Sequence, residues 1–137
     1  MDELFERIGG FDGVGVMAED FTMRVLNDVE ISGYFASFDH DRITEMHRMG
    51  MALLLGAASH DDNWIRDFSR KLITQTGFSD AQFDRMSQHL VDTLYAYNLR
   101  NRDIARVIDF IQAKRNVVLM RDRVSPAQRE HLSIVRL

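Results

Sequence analysis

The sequence predicts a single all-α domain on three observations. Apolar residues recur at helical spacing along four stretches of the 137-residue chain, and no stretch alternates between apolar and polar residues as a half-buried strand does. The only proline is Pro126, so no proline interrupts helix before that position. Apolar residues make up 45% of the chain and charged residues 28%, the usual balance of a globular protein with its own core.

The first half of the chain is predicted to hold two long helices and a shorter one. The first has an apolar stripe at helical spacing, formed by Val14, Met17, Phe21 and Val25. Before it, a break in the chain is expected at Gly9, Gly10 and Gly13. The second helix has a stripe formed by Ile43, Met46, Met49 or Gly50, Leu53 and Leu54. A loop is expected over residues 57–63, and a short helix over residues 64–76.

The second half is predicted to hold two long helices and a terminal one. Ser79 and Gln82 form a capping box, which starts a helix with the stripe Phe83, Met86, Leu90, Leu94 and Tyr97. The next helix has the stripe Ile104, Val107, Ile108, Ile111 and Val118. A second capping box at Ser125 and Gln128 predicts a short terminal helix. We therefore expect one domain over residues 1–123 and an extension over 124–137, which packs on this domain or on a second copy to form a homodimer.

Composition narrows the classes of function. A net charge of −4 argues against nucleic acid as the main partner, because phosphate binding needs a concentrated basic face. The absence of cysteine excludes disulfides and thiol chemistry. No apolar run is long enough to span a membrane and no signal peptide is recognisable, so we expect no membrane partner and a cytoplasmic location. No catalytic motif is present, and we expect a binding protein rather than an enzyme.

Three stretches, in this order and spacing, resemble the group I truncated haemoglobins. They are Leu4–Gly10 with its Ile-Gly-Gly ending, residues 19–28 followed by Tyr34 and Phe35, and residues 77–84 running on to 89–94. The resemblance covers roughly residues 3–120. It implies a globin-like two-over-two helical sandwich, with a pocket that in relatives holds haem and binds oxygen or nitric oxide.

The resemblance also implies a set of pocket residues. Phe35 falls where the family keeps a phenylalanine against the porphyrin, and Thr22 falls at the position of the distal tyrosine. At the two positions that are often His-Gln in the family, this chain has His47 and Arg48, so the histidine is kept and the glutamine is replaced by arginine. One turn earlier, Thr44 completes that face of the helix. His47 is then the best candidate for a metal ligand, while its other interpretation is a partly buried histidine bonded to a neighbour.

The iron-binding proximal histidine of the family has no counterpart. Counting back from Gly77, its position falls on Ile73, and a slip of one or two residues reaches Lys71, Leu72, Thr74 or Gln75. None of these side chains can replace an imidazole. Of the other histidines, His89 is expected to be a packing residue, His60 a loop residue, and His40 and His131 surface residues.

Two hypotheses follow. In the first, the chain is a haem-free module that senses a small apolar ligand or binds a partner protein, because the proximal histidine, distal tyrosine and distal glutamine are all replaced. The alternative is a haem protein with His47 as its axial ligand, binding oxygen or nitric oxide as the family does. If haem is absent, the space among Phe21, Phe35, His47 and Ile73 indicates whether the chain binds a small ligand or a partner protein. An open apolar cavity favours a ligand, whereas large side chains that fill the space favour a partner protein.

Overall fold

The computed structural model describes residues 3–55 and 63–121, and every regular element in these ranges is helical. The α-helices are α1 (Glu3–Arg7), α2 (Gly10–Leu26), α3 (His40–Leu54), α4 (Asn63–Thr76), α5 (Asp80–Ala96) and α6 (Asn101–Val118), with a 3₁₀ helix (Ser32–Phe35) between α2 and α3. The predicted short helix over residues 64–76 is confirmed as α4. The predicted extension 124–137, and all but the last residue of the predicted loop 57–63, lie outside the described residues; Asn63 itself begins α4.

Two helix pairs build the domain. Helix α2 packs on α3, α5 packs on α6, and α2 also contacts α5. The predicted stripe of α2 is confirmed, since Val14, Met17, Phe21 and Val25 are all buried. At the start of α5, the backbone N–H of Ser79 donates to Gln82 Oε1 at 2.9 Å, as the predicted capping box requires. Within the described ranges, no helix is long and apolar enough to cross a lipid bilayer.

The stripe predicted on α3 left one position open between Met49 and Gly50, and the structure favours Gly50, which lines the cavity described below. Met49 is exposed, whereas Met51 is almost fully buried. A helix turns by about 100° per residue, so a residue six positions after Ile43 lies about 240° around the axis from it. Met49 therefore points away from the buried face that Ile43 defines, while Gly50 and Met51 fall on it.

Helix α2 begins earlier than the glycines suggested. Gly10 and Gly13 are inside the helix, and only Gly9 precedes it, with a φ of +100°. Gly13 is needed for a close approach, because a Cβ at this position would lie 1.8 Å from the carbonyl oxygen of Ile8. The glycine lets α1 turn back on the first turn of α2 instead of breaking that helix.

Substitutions at Gly13 and Gly15, both in α2, test the close contact between Gly13 and the Ile8 carbonyl group. We expect Gly13→Ala to lower the free energy of unfolding by about 3 kcal/mol, since the new methyl group overlaps backbone that must shift. The matched control is Gly15→Ala in the same helix, where a Cβ would meet only Arg48 Cδ at 3.9 Å. That change should be neutral or raise the free energy of unfolding by about 0.5 kcal/mol. Equal urea midpoints for the two variants would contradict the account.

A buried carboxylate ties the end of α2 to α5. Asp28 Oδ2 accepts hydrogen bonds from Arg85 Nε at 2.5 Å and from His89 Nε2 at 2.6 Å, and Asp28 Oδ1 accepts one from the backbone N–H of Glu30 at 3.0 Å. The Arg85 guanidinium, with His89, holds the pKa of the Asp28 carboxyl well below its usual range. His89 is therefore more than the packing residue expected from the sequence, because it binds the carboxylate that joins two elements.

This ion pair predicts a specific acid sensitivity. A depressed carboxyl pKa stabilises the fold above the unfolded-state pKa, which is about 3.9, and that stabilisation is lost as the pH falls below it. Asp28→Asn should therefore lower the melting temperature at pH 7, and the gap to the parent protein should narrow below about pH 4. The control is Asp67→Asn, whose partner Arg70 is more than half exposed. A gap independent of pH would show that the charge of Asp28 is not what stabilises the fold.

Candidate ligand cavity

An apolar cavity of about 200 Å³ lies inside the domain, bounded by side chains from every helix except α1. Helix α3 supplies one wall, with Met46, His47, Gly50, Met51, Leu53 and Leu54. Helix α4 supplies Ser69 and Leu72. The remaining lining comes from α2, α5, α6 and the intervening segments, and it is aromatic and aliphatic apart from Ser87 and Lys114. The space is therefore open and apolar, which by the criterion set out above favours a ligand over a partner protein.

The structure brings together three of the predicted pocket residues. Phe21, Phe35 and His47 all line the cavity, and Phe35 also packs edge-on against Phe78 with ring centroids 6.0 Å apart. Thr22 is fully buried behind His47 and contacts its ring. The predicted site is thus partly assembled around one imidazole.

Thr44 and Arg48 do not line this cavity. The Thr44 hydroxyl donates to the carbonyl oxygen of His40 at 3.0 Å. Arg48 donates twice to Glu45, from Nε at 2.9 Å and from Nη2 at 2.5 Å, and its side chain borders a separate surface groove. Arg48 is therefore paired with Glu45 and is held outside the cavity.

The assignment of Ile73 to the pocket is corrected by the geometry of α4. Ser69 and Leu72 line the cavity from this helix, whereas Ile73 is partly buried against the core and does not line it. Ser69, at 3% exposure, lines the cavity although the sequence did not predict it there. The spacing of Ser69, Leu72 and Thr76 marks one helical face of α4, but it does not say which turn of that face meets the cavity.

The hydrogen bonds around His47 fix its tautomer. The Thr22 hydroxyl donates to the carbonyl oxygen of Ala18 at 2.7 Å, and Thr22 Oγ1 is also 2.8 Å from His47 Nδ1. A hydroxyl has a single hydrogen, so the bond to the imidazole must have Nδ1–H as its donor. Nε2 then has no hydrogen and keeps its lone pair, which is the form of imidazole that binds metals.

The surroundings also keep His47 neutral. Burial lowers the pKa of the imidazole to about 3, because the charged form is removed from water. The ring lies against Phe21 with centroids 4.6 Å apart. At neutral pH His47 is therefore an uncharged, oriented nitrogen donor in an apolar wall. Elsewhere in the described ranges, no group of three or more His, Asp or Glu side chains could hold a metal ion.

The curated proteins with sequences similar to this chain include group 1 truncated haemoglobins. No protein-family model matches the chain. The chain is 26% identical over 108 residues to the group 1 truncated haemoglobin GlbN of Synechocystis sp., covering 78% of this chain and 87% of the relative. It is 24% identical over 108 residues to the GlbN of Mycolicibacterium paratuberculosis, covering 79% of this chain and 77% of that protein.

Solved structures of truncated haemoglobins share the helical fold of this chain. The 2/2 haemoglobin of Synechococcus sp. PCC 7002, determined in the cyanomet state with covalently attached haem, superposes with a TM-score of 0.77 at 26% identity and covers 88% of this chain and all of its own. THB4 of Chlamydomonas reinhardtii superposes with a TM-score of 0.74 at 22% identity, covering 84% of this chain and 93% of its own, and supports the fold alone. By fold and by sequence similarity, the chain resembles the truncated haemoglobins with a two-over-two globin fold.

Proposed function

We propose that this chain is a haem-binding globin in which His47, on α3, supplies the imidazole that binds the iron. The observation that carries the proposal is the oriented His47 ring, whose Nδ1–H is used by Thr22 and whose Nε2 lone pair remains for a metal. Haem bound there would supply an iron that takes up a diatomic gas. The protein would act by binding, without a catalytic constellation of its own.

The donor set of the cavity fits haem with one strong ligand. Among the described lining residues His47 is the one imidazole, and the α4 wall offers Ser69 and Leu72, neither of which ligates haem iron. Phe21 and Phe35 supply aromatic surface for an apolar ring system. Met46 and Met86 add long side chains that rearrange at low cost, and the cavity of about 200 Å³ would need such movement to admit a large ligand.

One observation favours a second candidate, the haem-free binding of a smaller apolar molecule. The cavity of about 200 Å³ is below the roughly 300–1,000 Å³ typical of ligand pockets, so a compact ligand would need less rearrangement than haem. We place haem first because a dry apolar pocket has no need of an imidazole with a fixed tautomer and a free nitrogen. The similarity to truncated haemoglobins supports the same order.

Titration of the purified, haem-free chain with haemin separates the two candidates. We expect a saturable Soret band at one haem per chain, distinct from the spectrum of free haemin. A spectrum that follows free haemin at every ratio would exclude the haem proposal. The smaller apolar ligand would then be sought with xenon or benzene as probes of the cavity.

A further inference from the structure

We infer that the cavity of the haem-free chain binds a medium-chain alkyl carboxylate, with its anionic head at Lys114 and Ser87 and its tail in the apolar space. This inference rests on the second candidate of the proposed function, the haem-free binding of a compact apolar molecule, and it names the chemical class of that ligand. Three properties of the cavity support it: two polar side chains share one wall, one of them is charged, and the volume fits a short tail.

The two polar side chains lie on the wall formed by α5 and α6. These helices pack together and are joined by the short connection 97–100, so they run antiparallel. Arg115 Nη2 donates to Asp84 Oδ1 at 2.5 Å, which fixes the level at which the two helices pair. Ser87 lies one turn after Asp84, Lys114 lies one residue before Arg115, and both line the cavity. They are therefore within about one helical turn of the same level, on one side of the cavity.

Lys114 is the only charged side chain among the described residues that line the cavity. It is half-buried, and its Nζ lies 5.4 Å from the ring centroid of Phe110, which also lines the cavity. A lysine keeps its ammonium group in contact with water while its stem covers apolar surface, so this head group marks the mouth of the cavity. A carboxylate at the mouth would accept charge-assisted hydrogen bonds from the ammonium group, with the Ser87 hydroxyl as a second donor.

The other polar side chains of the lining do not suit an anion. His47 is neutral, and its Nε2 presents a lone pair that would repel a carboxylate. Ser69 is an uncharged hydroxyl at 3% exposure, and a carboxylate buried beside it without a cation would lose its hydration uncompensated. The head group is therefore expected at Lys114, while the tail extends into the apolar space that Phe21 and Phe35 help to line.

The size of the cavity limits the length of the tail. Its volume is about 200 Å³, whereas an apolar cavity of roughly 150 Å³ binds benzene, which has six carbons. At the same space per carbon, this cavity holds about eight carbons. Octanoate is therefore the probe that matches both the charge at the mouth and the space behind it.

The test compares octanoate with 1-octanol, which has a tail of the same length and an uncharged head, by isothermal titration calorimetry of the haem-free chain at pH 7. We expect one octanoate per chain, bound about 10-fold more tightly than 1-octanol, because hydrogen bonds to charged groups are the stronger ones. Lys114→Met removes the charge and keeps the apolar stem, so it should abolish this preference, whereas Lys114→Arg should retain it. The matched control is Arg102→Met, which removes an exposed positive charge from α6 outside the cavity and should leave the preference unchanged.

Two results would overturn the inference: equal affinities of the unmodified chain for octanoate and 1-octanol, or an unchanged preference in a folded Lys114→Met protein. If Lys114→Met does not fold, the comparison of the two probes in the unmodified chain decides. Failure of the second candidate function is distinguishable, because benzene, 1-octanol and octanoate would then all fail to bind. Every measurement uses the haem-free chain, so the result does not depend on the outcome of the haemin titration.

Discussion

Replacing His47 by alanine should weaken haem binding by more than about 100-fold, since even groups that only orient a metal ligand contribute 10–100-fold and His47 would be the ligand itself. The Soret band at one haem per chain should collapse toward the spectrum of free haemin. The effect is large because no other imidazole lines the described part of the cavity. Far-UV circular dichroism establishes that the variant still folds before its haem titration is interpreted.

The matched control is His40→Ala, at the first position of the same helix. His40 is 46% exposed in its side chain, and its nearest acidic group is Glu19 Oε1 at 3.9 Å. Haem binding should be unchanged in this variant. A folded His47→Ala protein that keeps the full Soret band would remove His47 from the site, whatever the control shows.

Phe35→Ala should lower the free energy of unfolding of the haem-free protein by about 3–5 kcal/mol. Phe35 is 2% exposed, and it packs against Phe38 and Phe78 with centroids 6.3 Å and 6.0 Å away. Truncation removes that contact area and enlarges a cavity that already exists, so neighbouring side chains have little to close upon. Urea unfolding of the haem-free chain measures the change without interference from a ligand.

The control for this change is Phe11→Ala, which removes the same atoms from a side chain that is 53% exposed. Phe11 retains one ring contact, with Phe5 at 4.9 Å, so the expected cost is below about 1.5 kcal/mol. Similar losses for Phe35→Ala and Phe11→Ala would mean that the cavity wall at Phe35 collapses freely. The cavity would then not be a preformed site.

Much of the fold could be predicted because burial follows periodicity. The stripe of α2 from Val14 to Val25 is fully buried, and Ser79 with Gln82 caps α5 as the local sequence requires. The pocket side of α3 was predictable too, since His47 lies one turn from Ile43 and Met51 on the buried face. These features depend on residues close in sequence, where helical geometry leaves little choice.

The residue of α4 that lines the cavity could not be predicted from helical spacing in the same way. Ile73 and Ser69 are four residues apart, so they lie on nearly the same side of the helix, displaced by about 6 Å along its axis. Periodicity identifies a face, and it does not say which turn of that face meets the cavity. That depends on how α4 packs against α6 and the 3₁₀ helix, which are distant in sequence.

The tautomer of His47 was equally out of reach of the sequence. It follows from two distances, 2.7 Å from Thr22 Oγ1 to the Ala18 carbonyl oxygen and 2.8 Å from Oγ1 to Nδ1. The sequence placed threonine where the family has tyrosine and suggested only a lost donor. In the structure the same threonine accepts a hydrogen bond from the His47 ring and so orients the imidazole.

The central claim is that one histidine, His47, holds haem through Nε2. Pulsed electron paramagnetic resonance of the ferric complex, prepared with ¹⁵N-labelled histidine, tests it most directly. The account predicts strong hyperfine coupling to the bound nitrogen of a single imidazole, present in His40→Ala and absent in His47→Ala. Coupling to two imidazoles, or to none while haem remains bound, would contradict it.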